Sequence, residues 1–157
     1  MSRFVPLRKV SDIEQLRTLR SAYLFSIMAA TVMRPRPTYR PTILCVEDNP
    51  AYLQLRKTLL EKEGYLVLTA TTGSRAIAVM QRVPVSLVLS DHMLRGTTGV
   101  ALAQQLKAIK PHVPFVLYSG TVPERMGTVD CYISKDETVP NFLSIIKSLI
   151  KRQSESH

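Results

Sequence analysis

From Thr42 onward the chain alternates short apolar runs with longer amphipathic stretches. Ile43-Leu44-Cys45-Val46 is unbroken and lacks helical spacing, which predicts a buried strand at about 42–46. Asn49 offers an N-cap and Pro50 a first helical position, so a helix is expected to run to about Glu63, with Gly64 stopping it. Tyr65 to about Ala70 reads as a second strand. Thr72 caps a second helix with Ala76, Ile77 and Met80 on one face. After Pro84, Val85 to Ser90 forms a third strand that ends at Asp91. Gly96-Thr97-Thr98-Gly99 is a turn, with Thr98 capping a helix that carries Leu102, Leu106 and Ile109 on one side, and Pro111 lies beyond its end. A fourth strand is expected from Pro114 to Tyr118 and a fifth from about Val129 to Ile133. Val139, Phe142, Leu143, Ile146, Leu149 and Ile150 then recur at helical spacing, the strongest periodicity in the chain. This alternation predicts a parallel sheet covered on both faces and joined by right-handed crossovers. The ligand site of such a sheet lies at the carboxyl ends of its strands, where strand order switches.

Arg34 to Pro41 holds three prolines in eight residues and reads as an extended linker. The expected organisation is an N-terminal extension over 1–33, a linker over 34–41, a domain over 42–152 and a tail over 153–157. Residues 11–33 carry Ile13, Leu16, Tyr23, Ile27 and Ala30 on one helical stripe, interrupted by Arg20. Three readings of the extension stay open: a dimerising or membrane-touching helix, a disordered tail, or a native start at Met33. Ser21 to Met33 is too short to span a bilayer, and Asp12 and Glu14 argue against a signal peptide.

Composition is globular, with 45% hydrophobic and 21% charged residues. The net charge of +9 first suggests nucleic acid, but +6 of it falls in residues 1–40 and no recognition motif accompanies it. Cys45 and Cys131 fall inside expected strands and form no CxxC pair, so both read as small buried hydrophobes of a reducing cytosol.

Five polar residues follow strand ends: Glu47, Asp48, Asp91, Ser119 and Lys135. Their types fit the capture of a phosphoryl group on a carboxylate. Asp91 is the candidate nucleophile. Asp48, helped by Glu47, is the candidate holder of a hard cation such as Mg²⁺. Lys135 would meet one phosphoryl oxygen as a point charge, and the Ser119 hydroxyl would donate to another.

Four segments carry a resemblance. Ile43-Leu44-Cys45-Val46-Glu47-Asp48-Asn49-Pro50, Leu87-Val88-Leu89-Ser90-Asp91-His92-Met93, Val116-Leu117-Tyr118-Ser119-Gly120 and Tyr132-Ile133-Ser134-Lys135 resemble the signature segments of receiver (response-regulator) domains. The resemblance covers residues 42–151. It implies an α/β, flavodoxin-like, doubly wound five-stranded parallel sheet with strand order 2-1-3-4-5. It also implies Mg²⁺ dependence and phosphorylation of Asp91 by a sensor histidine kinase or phosphotransfer protein. The Met93 backbone carbonyl would be a further metal ligand, and Ser119 and Tyr132 a coupled switch pair. The expected role is that of a cytoplasmic, receiver-only response regulator. It would not be a metabolic enzyme, and its output would pass to a downstream protein target, with no specific nucleic acid and no stable membrane insertion.

The chain departs from that family in three places. Leu94-Arg95-Gly96-Thr97-Thr98-Gly99 stands where relatives resemble Met-Pro-Gly-Met-Asp-Gly. Asp136 replaces the usual proline after Lys135, so a trans bond is expected, with a carboxylate able to pair with that lysine. Fifteen residues separate Ser119 from Lys135, too few for a strand and an average helix, so the fourth helix is expected to be short or missing. His92 is expected at the surface.

A phosphatase of the haloacid-dehalogenase kind is the rival enzyme reading, but Met93 occupies the position of its second aspartate. A phosphorylation-independent interaction module and a nucleic-acid binder are the other rivals.

Overall fold

The structure, a computed structural model, describes residues 39–155. Expectations for residues 1–38 lie outside these. The elements are β1 (Thr42–Val46), α1 (Pro50–Lys62), β2 (Leu66–Ala70), α2 (Gly73–Arg82), β3 (Leu87–Ser90), β4 (Met93–Leu94), β5 (Thr97–Thr98), α3 (Gly99–Ile109), β6 (Phe115–Ser119), β7 (Cys131–Ser134) and α4 (Val139–Glu155). Five of the strands form one parallel sheet in the order β2-β1-β3-β6-β7. Counted within that sheet, this is the expected order 2-1-3-4-5. The two short strands β4 and β5 pair with each other as an antiparallel hairpin just after Asp91.

Successive side chains of a strand point to opposite faces, and each face here has its own core. Leu44, Val46, Val88, Phe115 and Leu117 pack with Ala76, Met80, Leu102 and Leu106 of α2 and α3. Ile43, Cys45, Leu87, Leu89, Val116 and Ile133 pack with Leu53, Leu60, Phe142, Ile146 and Ile150 of α1 and α4. Burial on both faces explains why β1 and β3 read as unbroken apolar runs rather than alternating ones.

Capping side chains set the helix starts. Asn49 accepts from the N–H groups of Ala51 and Tyr52, Thr72 from that of Arg75, and Thr98 from that of Ala101. Gly64, just past α1, has φ of +89°, a conformation that suits glycine. The Lys135–Asp136 bond is trans, as expected.

Residues 120–130 hold no helix, so the helix expected to be short or missing is missing. Side chains anchor the segment instead. Asp130 accepts the Phe115 N–H at 2.6 Å and pairs with Lys107, while Val129 and Tyr132 pack on the first core. The last strand begins at Cys131, two residues later than expected. At the other end, α4 continues through Glu155, three residues past the expected boundary, because no glycine or proline follows the Pro140 of its first turn to stop it. Among the described residues, no helix is long and apolar enough to cross a membrane.

Candidate functional site

The two parallel strands β1 and β3 are neighbours, and the chain leaves β1 on the side opposite to β3. Glu47 and Asp48 follow β1, and Asp91 follows β3, at the same edge of the sheet. The Asp91 N–H donates to the Val46 carbonyl at 3.0 Å, which extends the β1–β3 ladder into the site. From the far side, β7 delivers Lys135, whose N–H donates to the Ser119 carbonyl at 3.0 Å.

Asp91 is buried, and both its carboxylate oxygens have donors. The His92 N–H reaches Oδ1 at 2.6 Å, and the Lys135 Nζ reaches Oδ2 at 2.7 Å. Burial works against the charge of Asp91, but the Lys135 hydrogen bond and charge outweigh it and hold the carboxyl below its ordinary range. Lys135 also lies 3.8 Å from Glu47 Oε2 and 5.7 Å from the centre of the Tyr52 ring. It thus sits between two carboxylates, and Asp136, expected to compete for it, is exposed instead.

Glu47 is 1% exposed. Its Oε1 accepts the Asn49 N–H at 3.1 Å, and its Oε2 accepts from Arg56 Nη2 at 2.7 Å. Burial nevertheless raises its pKa, with the Asn49 N–H and Arg56 opposing. Asp48 is partly exposed and meets Arg95, Nε to Oδ2, at 3.6 Å. Each of the three carboxylates therefore faces a cation of the chain itself. Among the described residues, no three His, Cys, Asp or Glu side chains converge as a ready metal site. The donor set still fits Mg²⁺. It offers hard carboxylate oxygens at Asp48 and Asp91, with the Met93 carbonyl two residues on, and Mg²⁺ keeps several waters and needs few protein oxygens.

Ser119 is buried, and its Oγ accepts the Thr121 N–H at 3.3 Å. The Tyr132 hydroxyl donates to the Ser119 carbonyl at 3.0 Å. Met93 opens β4 and its side chain is exposed. His92, expected at the surface, is half-buried, and its Nδ1 is enclosed without a hydrogen-bond partner. Its place between the buried Asp91 and the β4–β5 hairpin draws it inward.

Two residues of the site escaped sequence reasoning. Arg56 is buried on α1, and the available signal was its place in the apolar stripe between Leu53 and Leu60. Gly99 is packed so tightly that an added Cβ would meet the Asp91 carbonyl oxygen at 2.5 Å and collide with Leu117. Its N–H donates to the His92 carbonyl at 2.7 Å, which closes the loop after Asp91.

The chain is similar to several known proteins. It is 27% identical over 117 residues to the polar-differentiation response regulator DivK of Brucella ovis, an alignment covering 69% of this chain and 95% of that protein. It is 32% identical over 87 residues to the transcriptional regulatory protein GlrR of Escherichia coli, covering 54% of this chain and 20% of GlrR. The chain thus matches only about a fifth of GlrR's length. Among solved structures, a CheY-like receiver domain protein from Methanospirillum hungatei superposes with a TM-score of 0.72 at 26% identity, covering 76% of this chain and all of that one. The response regulator TrrA of Thermotoga maritima, solved in complex with Mg²⁺-BeF, gives a TM-score of 0.65 at 26% identity, covering 69% and 98%. The family model of the response regulator receiver domain matches residues 43–146, and the chain belongs to that family.

Proposed function

We propose that this protein is a phosphoacceptor response regulator in which Asp91 takes a phosphoryl group from a histidine kinase or phosphotransfer protein. Phosphorylation and Mg²⁺ are features of the family. The observation that carries the reading is the Asp91–Lys135 contact of 2.7 Å at the sheet edge, with Ser119 tied to the Lys135 backbone beside it. In the transfer, an Asp91 oxygen forms the new P–O bond as the P–N bond to the donor imidazole breaks. The imidazole leaves with that electron pair. Lys135 exchanges its carboxylate partner for a phosphoryl oxygen, and the Ser119 hydroxyl donates to another. Asp48, Asp91 and the Met93 carbonyl would hold Mg²⁺, while Glu47, expected to help them, is paired with Arg56. When bound, the ion would neutralise charge on the phosphoryl oxygens.

Output would pass by protein–protein contact, and the helix-free segment 120–130 gives the β6–β7 face a shape of its own for that purpose. Localisation to the cytoplasm follows from the same reading, because the donor kinases act there. The protein would reset by slow hydrolysis of its acyl phosphate and would not serve as a metabolic enzyme.

The test is incubation with acetyl phosphate or beryllofluoride in the presence of Mg²⁺. A mass or mobility shift that is lost in Asp91→Asn supports the phosphoacceptor. A native protein that never shifts favours the phosphorylation-independent module instead.

A further inference from the structure

Arg56 occupies the buried stripe of α1 with Leu53 and Leu60, and only 6% of it is exposed. Its Nη2 donates to Glu47 Oε2 at 2.7 Å, and its guanidinium lies 4.7 Å from the centre of the Tyr118 ring. Tyr118 in turn rests against Phe142 of α4, ring centres 5.1 Å apart. The guanidinium is therefore fixed from two sides. The other Glu47 oxygen is taken by the Asn49 N–H. An arginine in this position is costly to bury unless a charge answers it. Its pairing with Glu47 is also shielded from the salt and water that weaken surface pairs.

Asp48 is held quite differently. Its partner Arg95 is 3.6 Å away with a side chain 85% exposed, so that contact is loose and screened. Of the two adjacent acids, one is free to turn toward a cation and the other is clamped.

We propose that Arg56 is a positioning residue that withholds Glu47 from a divalent cation, leaving Asp48, Asp91 and the Met93 carbonyl to hold it. The inference deepens the phosphoacceptor reading and rests on it. The clamp lowers the negative charge available to the ion and so sets how much Mg²⁺ the site needs.

Cation uptake is measured with no phosphoryl donor present, by Mn²⁺-induced broadening of amide NMR signals around residues 48 and 91, and by displacement with Mg²⁺. Three variants are compared with the native protein. Glu47→Gln with Arg56→Met removes both charges, keeps the net charge of the pocket and leaves no buried ion unpaired. It is expected to bind the cation within about threefold of native, since Glu47 is not a holder. Arg56→Met alone removes the clamp from Glu47, leaving only Lys135 at 3.8 Å and the Asn49 N–H on it, and is expected to bind about fivefold tighter or more. Arg56→Lys keeps a charge but not the planar fork, and falls between native and Arg56→Met. A double variant weakened about tenfold or more would make Glu47 a true ligand and overturn the proposal. So would an Arg56→Met protein that binds no tighter. Should Arg56→Met not fold, the double variant decides alone. Native protein that takes up no cation overturns this proposal and the phosphoacceptor reading together. Native protein that binds while the variants match it overturns only the role of Arg56.

Discussion

The Tyr132 hydroxyl donates to the Ser119 carbonyl at 3.0 Å, and the same carbonyl accepts the Lys135 N–H. One backbone oxygen thus joins the expected switch pair, Ser119 and Tyr132, to Lys135, the expected partner of the phosphoryl group. Tyr132 is half-buried, with its ring packed on the first core. Tyr132→Phe keeps that packing and removes one hydrogen bond, so it is expected to cost about 0.5–1.5 kcal/mol of stability in urea unfolding. Asp91 should still take up beryllofluoride in this variant, with altered chemical shifts at Ser119. Unchanged shifts there would show that Tyr132 is core alone.

Gly99 controls the other side of the site. Its Cα lies where any side chain would strike the Asp91 carbonyl and the buried Leu117. Gly99→Ala is expected to cost about 1–3 kcal/mol and to slow phosphoryl uptake from acetyl phosphate, because relief of the clash must shift the backbone after Asp91. A Gly99→Ala protein with native stability and native uptake rate would refute this account.

Much of this was legible in the chain beforehand. The central strands were readable because β1 and β3, buried between two helix layers, read as apolar runs, and the helix starts because Asn49, Thr72 and Thr98 carry their own capping groups. The missing helix was readable from arithmetic alone, since the spacing between Ser119 and Lys135 left no room for it. Asp91 and Lys135 were placed correctly because strand ends of a parallel sheet share an edge. The cations were harder. Arginine on a helix is usually solvated, and nothing local marks Arg56 as buried except its neighbours in the stripe. Gly99 read as a turn residue, since the close approach of Asp91 is a contact across sequence that only the packed sheet creates.

The two cysteines give a simple probe of the second core. Cys45 is fully buried, and burial pushes its thiol up to about 12. Cys131 is half-buried and raised as well, by burial and then by Asp130. Thiolate is the reactive form, so neither should react quickly with a disulfide reagent under native conditions, and Cys45 should react only on unfolding. Its labelling rate then reports global opening. Fast labelling of Cys45 in the folded protein would contradict the packing of β1.

Glu47 and Asp91 should shift the stability of this protein in opposite directions as pH falls. Asp91 has a folded pKa held below its ordinary value, despite burial, by Lys135. Its pairing adds stability that is complete above the unfolded pKa, about 3.9, and is lost as pH falls through the depressed folded value. Glu47 is shifted the other way, raised by burial. Its charged form therefore costs stability at neutral pH, and that cost is relieved as pH falls through its folded pKa. Between neutrality and pH about 4, Glu47 should soften the loss of stability, and below that Asp91 should steepen it. Urea midpoints measured across this range are expected to show the steep limb in native protein and a flatter one in Asp91→Asn. Parallel acid limbs in the two proteins would mean that the contact between Asp91 and Lys135 contributes nothing to folding.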